Sequence, residues 1–335
     1  MPRISVLLPV RDAAGTLEAC LDSLASQTLA DHEVIAVDDG SRDASGEVLR
    51  ARAGRDRRLR VASTPPRGLV GALRLALAEA RAPLVARLDA DDVAARERLA
   101  LQAERLERDR AVDVLGGRVA LAAAPGKRPG EGMRAYVEWQ NRLLDHEDMW
   151  RDRFVESPLV HPSVAMRTET LRRLGWRAFD GPEDYDLWLR AFDAGMRFAK
   201  LAETVVEWRD SPTRLTRTDP RYAPSRFLAL KLETLRRGLL SGGREVVLWG
   251  AGPVGKAWSR ALRAGGHEVR AFVEVDPRKV GGRIHGVAVV AVSEAAGLRG
   301  PLHLAAVGQR GARERIRAEA ARLGLADGED LVAVA

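Results

Sequence analysis

The sequence predicts an α/β fold in which a mostly parallel sheet carries helices on both faces and is followed by a second, smaller α/β domain. Two observations predict the first part: strands alternate with helices from residue 4 onward, and two of the strands end in acidic residues. The second part is predicted by a strand, a glycine-rich turn and a helix that follow one another from residue 245.

The first domain alternates strand and helix along the chain. Alternation of this kind is typical of a largely parallel sheet, which binds ligands at the carboxyl ends of its strands. The predicted strands lie at 4–8, 33–37, 59–62 and 83–88, and the predicted helices at 16–28, 44–54 and 68–81.

Acidic residues follow two of these strands. Asp38-Asp39-Gly40-Ser41 comes after the strand 33–37, and Asp89-Ala90-Asp91-Asp92 comes after the strand 83–88. Carboxylates at a sheet edge are suited to a hard divalent cation, which can neutralise a diphosphate. The pattern therefore predicts a nucleotide-diphosphate site. Two members have a second interpretation: Asp92 is expected to cap a helix that begins near Val93, and Asp38 is expected to bind backbone amides of its own turn.

Composition narrows the class of protein. The chain has 335 residues, 46% hydrophobic and 30% charged, which is typical of a globular protein with room for two domains. No stretch approaches the ~20 apolar residues of a membrane span, and no signal peptide is expected. Cys20 is the only cysteine, so we expect no intrachain disulfide and a cytoplasmic location. An amphipathic helix at 226–240 leaves a peripheral membrane contact open.

The formal net charge is +7, and nearly all of the basic residues are arginines. Along the segments 94–98 and 102–108 these arginines are interleaved with acidic residues, which predicts solvated helix faces. The sequence lacks an aromatic and basic module of the kind that stacks bases, so we expect no nucleic-acid partner.

Further motifs follow the two acidic runs in order. Their number and spacing make the set specific, although each alone is weak. They are Pro9-Val10-Arg11-Asp12, the segments 23–28, 37–41 and 87–92, His161-Pro162-Ser163-Val164, the segment 183–190 and Glu207-Trp208-Arg209. Over residues 3–220 this set resembles a family-2 glycosyltransferase of the GT-A fold.

The resemblance implies a metal-dependent, inverting glycosyltransferase with a nucleotide-diphospho-sugar donor and a carbohydrate or lipid-linked acceptor, acting in cell-envelope or surface glycan synthesis. Asp39 would bind the base of the donor, with Pro9 beside it. Within a DxD motif, Asp89 would face the ribose or the metal, and Asp91 would ligate Mn²⁺ or Mg²⁺. Asp184 would be the general base that deprotonates the acceptor hydroxyl.

Three other features leave alternatives open. His161 is expected either to contact phosphate or acceptor, or to satisfy a local backbone group. Aromatic residues in the predicted helical segment 131–154 are expected either to stack on a sugar or to pack a small core. The segment 209–212 lacks a histidine that the family often has there, which puts a histidine metal ligand in doubt.

The predicted boundaries are 1–225 for the first domain, 226–240 for a connecting helix and 241–335 for the second domain. Gly250, Gly252 and Gly255 follow the strand 245–249, and Glu274 ends the strand 269–273, as in a dinucleotide-binding unit. The segment also resembles the small Rossmann-like domain found before sugar acyltransferase modules. These four residues predict a second nucleotide site, with a purely docking domain as the alternative.

Two other functions compete with the transferase. In the first, an NAD-dependent enzyme would modify a nucleotide sugar with the help of the C-terminal unit. That chemistry needs a Tyr-Lys or histidine-based proton relay, which the sequence does not present. The second is a non-catalytic nucleotide-sugar sensor. Asp91 and Asp184 argue against it, since a sensor needs no general base.

Overall fold

The structure is a computed structural model that describes residues 1–123, 128–211 and 214–335. The chain forms two compact units. The first unit comprises Met1–His146 and Pro158–Thr218, and the second comprises Glu147–Ser157 and Asp219–Ala335. None of the described helices has the length and hydropathy of a membrane span.

Within the described residues of the first unit, eight strands form one sheet in the order β3-β2-β1-β4-β7-β6-β8-β5. Strands β1 to β4 are mutually parallel, whereas β7 is antiparallel to both of its neighbours and β5 is antiparallel to β8. The strands are β1 Ile4–Val10, β2 His32–Asp38, β3 Leu59–Ser63, β4 Leu84–Arg87, β5 Val93–Ala94, β6 Val114–Ala123, β7 Ala165–Arg167 and β8 Phe198–Asp210.

Helices flank this sheet. The fully buried runs of β1 and β2 are those of parallel strands covered on both faces, which confirms the predicted mixed α/β class. The helices of this unit are α1 Ala14–Ala25, α2 Ser45–Ala53, α3 Gly68–Glu79, α4 Arg98–Arg108, α5 Glu131–Gln140, α7 Thr168–Leu174, α8 Glu183–Asp193 and α9 Leu215–Thr218, with a 3₁₀ turn at His161–Ser163. The short helix α6, His146–Asp152, belongs to the second unit apart from His146.

The helix predicted to begin near Val93 is wrong. Val93 and Ala94 form β5, which pairs with Glu207 and Val206 of β8, and α4 begins only at Arg98. The pairing with a distant strand overrides the local capping signal of Asp92, because a short strand at a sheet edge gains backbone hydrogen bonds. Of the predicted loop that leads out of this unit, Pro212 and Thr213 lie outside the described residues.

The described second unit contains a six-stranded sheet in the order β11-β12-β10-β9-β13-β14, parallel except for the β11–β12 hairpin. The helix predicted as a connector is α10, which packs against α11 within this unit. The strands are β9 Val246–Trp249, β10 Val269–Glu274, β11 Arg283–Ile284, β12 Val287–Ala291, β13 Leu302–Ala305 and β14 Leu331–Ala333. The helices are α10 Pro224–Arg237, α11 Pro253–Ala264 and α12 Ala312–Arg322.

Candidate active site

The first unit brings three carboxylates together where β4 ends. Asp89, Asp91 and Asp92 each place one oxygen so that the three oxygens lie within 4.8 Å of one another. We call these three residues the acidic cluster. β4 lies between β1 and β7 in the sheet, so the cluster occupies the carboxyl end of an interior strand. The structure therefore joins Asp89 and Asp91 as predicted, and adds Asp92.

Neighbouring elements hold the loop that carries the acidic cluster. On α1, the hydroxyl of Thr16 donates to the carbonyl of Ala90 over 3.0 Å, and the thiol of Cys20 lies 3.4 Å from the carbonyl of Asp89. From β8, the amide of Arg209 donates to Oδ1 of Asp92 over 2.9 Å. The interpretation of Asp92 as a helix cap is therefore wrong: its carboxylate binds a strand amide more than a hundred residues away in sequence.

The electrostatics of the acidic cluster favour a bound cation. Burial, followed by the charge of Asp89, raises the pKa of Asp91, and burial with the charges of Asp89 and Asp91 raises the pKa of Asp92 well above its usual range. Asp92 is fully buried, and its Oδ2 has no hydrogen-bond partner within the described residues. Hard, crowded carboxylate oxygens of this kind fit Mn²⁺ or Mg²⁺.

Arg87 neutralises the charge of Asp89, one member of the acidic cluster. Its buried guanidinium pairs with both oxygens of Asp89, with N–O distances of 2.5 Å. Although burial lowers the pKa of Arg87, the charges of Asp89 and Glu183 outweigh that effect and raise it. Asp89 is thus already paired, whereas the environments of Asp91 and Asp92 disfavour their charged forms.

The first turn of α8 carries Asp184, the predicted general base. Asp184 is half-buried, and its Oδ1 accepts a hydrogen bond of 2.7 Å from the amide of Tyr185. Glu183, next to it, lies 3.6 Å from Nδ1 of His161. His161 packs edge-on against Trp188, and burial together with the charge of Arg87 lowers its pKa. The structure therefore places His161 against Glu183, a role that the sequence did not suggest.

Asp39 follows β2, and Pro9 lies on the neighbouring β1. The carboxylate of Asp39 accepts from the amides of Arg67 and Gly68, over 2.6 and 2.9 Å, and so holds the start of α3. Asp38 accepts from the amide of Ser41 over 3.0 Å, as its turn predicts. The guanidinium of Arg11 also donates to Oδ2 of Asp39 over 3.5 Å, whereas Oδ1 keeps a further lone pair, so a role toward a base remains a prediction.

Arg98 and Gln102 lie near the acidic cluster, and neither was predicted to contribute to the site. Arg98 is only 1% exposed, so its assignment to a solvated helix face is wrong. Its Nη2 donates to the carbonyl of Arg87 over 2.7 Å, and its Nε donates to Oε1 of Gln102 over 3.0 Å. The spacing could have predicted this burial, because Arg98 and Gln102 are four residues apart and lie on the same helix face as the buried Leu99 and Leu106.

In the second unit, the glycine-rich turn connects β9 to α11. Gly250 has a φ of +104°, and a Cβ at Gly255 would lie 1.9 Å from the carbonyl oxygen of Gly250, whereas one at Gly252 would meet nothing within 4 Å. Glu274 accepts from the amide of Ala251 over 3.0 Å and from Lys279 over 3.1 Å. The glycines thus permit close packing of helix on strand, and a nucleotide at this turn stays a prediction.

Comparison with known proteins identifies the family. The family model described as "Glycosyl transferase family 2" matches residues 5–175. The chain belongs to this family. The predicted family is confirmed, and with it the enzyme class of a glycosyltransferase. The larger segment of the second unit, Asp219–Ala335, lies outside the match.

Named relatives of this family-2 chain include two bacterial proteins. An uncharacterized glycosyltransferase of Bacillus subtilis, EpsJ, is 34% identical over 226 residues, which cover 64% of this chain and 63% of EpsJ. The amylovoran biosynthesis glycosyltransferase AmsE of Erwinia amylovora is 30% identical over 213 residues, which cover 61% of this chain and 75% of AmsE. The chain thus spans less than two thirds of EpsJ.

Solved structures confirm the fold class. TarS of S. aureus in complex with UDP-GlcNAc superposes with a TM-score of 0.55 at 17% identity, over 70% of this chain and 67% of that chain. The mannosyltransferase PcManGT of Pyrobaculum calidifontis, in complex with GDP-Man and Mn²⁺, has a TM-score of 0.50 at 21% identity, over 79% of each chain. The predicted GT-A fold is therefore confirmed.

Proposed function

We propose that this chain is a metal-dependent, inverting glycosyltransferase that moves a sugar from a nucleotide-diphospho-sugar to an acceptor hydroxyl. The observation that carries the proposal is the acidic cluster, whose three carboxylate oxygens converge within 4.8 Å at the end of β4. Membership of glycosyl transferase family 2 supports the reaction class.

Asp91 is the proposed principal ligand of Mn²⁺ or Mg²⁺, with Asp89 and Asp92 beside it. When bound, such an ion offsets the negative charge of the leaving diphosphate. The donor set supports this choice, because carboxylate oxygens are the ligands that these hard cations prefer. Asp39 and Pro9 are proposed to receive the nucleotide base at the ends of β2 and β1.

Asp184 is the proposed general base. A sugar hydroxyl is a weak nucleophile, and a carboxylate within hydrogen-bond reach accepts its proton as the new bond to the anomeric carbon forms. Direct displacement of the nucleotide by this hydroxyl inverts the configuration at that carbon. Asp184 lies on the first turn of α8, where the N-terminal end of a helix stabilises negative charge.

The proposed acceptor is a carbohydrate or a lipid-linked carbohydrate, and the product a cell-envelope or surface glycan. Support comes from relatives whose names state polysaccharide synthesis, among them AmsE and the chondroitin synthase of Pasteurella multocida. A cytoplasmic location, with peripheral membrane contact, belongs to the same proposal. Family membership favours the glycosyltransferase function over an NAD-dependent enzyme or a non-catalytic sensor.

For the second unit, the proposal is a separate domain that either docks or binds a nucleotide at Gly250, Gly252, Gly255 and Glu274. The amides near a glycine-rich turn at a helix start are suited to phosphate. Against a ligand stands Glu274, whose carboxylate already accepts from Ala251, Val275, Asp276 and Lys279.

Nucleotide binding measured by calorimetry tests the proposal. UDP, GDP and TDP are titrated in Mn²⁺ and in EDTA into the wild type, Asp91→Asn and the isosteric control Glu274→Gln. We expect one nucleotide to bind only with Mn²⁺, to lose affinity in Asp91→Asn and to bind normally to Glu274→Gln. Binding that ignores Mn²⁺ and Asp91→Asn, but disappears in Glu274→Gln, would move the site to the second unit and overturn the assignment.

A further inference from the structure

Arg98 is a buried cation behind the acidic cluster. It is the first residue of α4, it is 1% exposed, and no carboxylate of the described residues lies within ion-pair distance of its guanidinium. Burying an arginine without such a partner costs stability. The presence of Arg98 therefore indicates a function for its hydrogen bonds.

Those hydrogen bonds join two segments of the site. Nη2 of Arg98 donates to the carbonyl of Arg87, the last residue of β4 and the partner of Asp89, over 2.7 Å. Nε donates to Gln102, whose own amide donates to the carbonyl of Ser163 over 2.8 Å. One side-chain pair on α4 therefore contacts both the strand that precedes the acidic cluster and the turn that carries His161.

The charge state of Arg98 agrees with a lasting structural contact. Burial lowers the pKa of Arg98 to about 9, against the charge of Asp92, which raises it. The guanidinium therefore stays protonated at neutral pH and keeps all of its donors. Its Nη1 has no hydrogen-bond partner within the described residues, as is also true of Oδ2 of Asp92.

We propose that Arg98 is a positioning residue that holds the end of β4, through the Arg87 carbonyl, so that Asp89, Asp91 and Asp92 converge on one divalent cation. The inference rests on the proposed function, since it assumes that the acidic cluster binds a metal. Residues behind metal ligands commonly act in this way, by fixing the orientation of the groups that touch the ion.

The sign of the effect separates positioning from charge. A cation close to the acidic cluster repels a metal ion, so if Arg98 acted only through its charge, removing it would tighten metal binding. If Arg98 positions the loop, removing it weakens binding. Arg98→Lys sharpens the distinction, because lysine keeps the charge but loses the planar fork that reaches both partners.

The experiment measures Mn²⁺ affinity by calorimetry, and Tm without metal, for the full chain as wild type, Arg98→Lys, Arg98→Met and the control Arg167→Met. Arg167 also donates to main-chain carbonyls, those of Val112, Leu106 and Asp109, at the other end of α4. We expect both Arg98 variants to lose Mn²⁺ affinity by about 10–100-fold. Arg167→Met should lower Tm but bind Mn²⁺ like the wild type.

Three results would overturn the inference. If Arg98→Lys bound Mn²⁺ like the wild type and Arg98→Met bound it more tightly, Arg98 would act only through its charge. Equal loss of affinity in Arg167→Met would indicate general destabilisation. A wild type that binds no Mn²⁺ would remove the metal from the proposed function, and this inference with it. If Arg98→Met does not fold, Arg98→Lys decides alone, because only a positioning role predicts that it weakens binding.

Discussion

Both units place a carboxylate where an interior parallel strand ends, but the two sites differ in how those carboxylates are satisfied. At the end of β10, Glu274 accepts from three backbone amides and from Lys279, which outweigh the effect of burial and lower its pKa. After β4, the half-buried Asp91 and the buried Asp92 lie beside other carboxylates, and their pKa values are raised. The carboxylate of Glu274 is satisfied by internal hydrogen bonds, whereas the acidic cluster is suited to a cation.

The difference shows that a strand-end carboxylate is not by itself evidence of a ligand. The same sequence pattern serves to hold a turn in the second unit and to concentrate negative charge in the first. Unfavourable electrostatics that the chain retains are characteristic of functional sites, because a structural role gains nothing from them.

The largest effect is expected from Asp184→Asn, compared with Glu274→Gln. Asparagine cannot accept the acceptor proton, so kcat for sugar transfer should fall by about 10²–10⁴-fold, with nucleotide affinity unchanged. Glu274→Gln is the same chemical change at the other sheet and should leave kcat within about twofold of the wild type, since its contacts are internal. Transfer rates with the donor found by calorimetry measure both. Equal losses in the two variants would show that Asp184 and Glu274 do not differ in their roles.

The next effect concerns the glycine-rich turn of the second unit. Gly255→Ala should lower the free energy of unfolding by about 1–3 kcal/mol, because its Cβ would overlap the carbonyl of Gly250. Gly252→Ala, which meets open space, should change stability by less than about 0.5 kcal/mol. Denaturant unfolding measures both variants. A large loss in Gly252→Ala would contradict a turn built for packing at Gly255 alone.

A smaller effect tests the two carboxylates directly, by urea unfolding in EDTA. Glu274→Gln should cost about 1–2 kcal/mol, because it weakens charge-assisted hydrogen bonds to Ala251 and Lys279. Asp92→Asn should be neutral or stabilising, since it removes a buried charge next to Asp89 and Asp91 and keeps an acceptor for Arg209. Destabilisation of the metal-free protein by Asp92→Asn would show that the buried charge of Asp92 does not reduce stability.

A separate, pH-dependent effect involves one buried lysine in each unit. Lys200 donates to Oε1 of Gln140 and to the carbonyl of Pro158, and burial with the charge of Arg118 lowers its pKa to about 7. Lys231 donates to the carbonyl of Val155, and its pKa is also lowered by burial, although the charge of Glu156 opposes this. Both buried lysines should therefore make stability depend on pH, and the pKa of Lys200 defines a window for the test.

The direction of the pH dependence follows from the number of protons that the folded and the unfolded chain bind. The pKa of Lys200 is about 7 in the folded chain against 10.5 for its ordinary value, so between these limits the unfolded chain binds more protons. Stability should therefore rise with pH across this window, by up to about 1.4 kcal/mol per pH unit. Lys200→Met should remove this rise, whereas the exposed Lys256→Met should not. Parallel pH profiles for the wild type and Lys200→Met would contradict the prediction.

Much of the fold was predictable because strand and helix periods are local. The first seven elements appear where the sequence predicts them, within a few residues at each end, and the acidic runs fall at strand ends as expected. The errors at Asp92 and Arg98 share one cause. Local capping and charge patterns describe a helix in isolation, but here β8 supplied a partner for Asp92, and the Arg87 carbonyl supplied one for Arg98.

The α/β class, the family and the residue types of the acidic cluster could be predicted from the sequence, since alternation, motif order and carboxylate chemistry can be read without coordinates. The folded chain was needed to show which carboxylates converge, that Arg87 pairs with Asp89, and that Glu274 is satisfied internally. The physical reason is that burial and the proximity of distant charges set the energy of a carboxylate, and neither is a property of its neighbours along the chain.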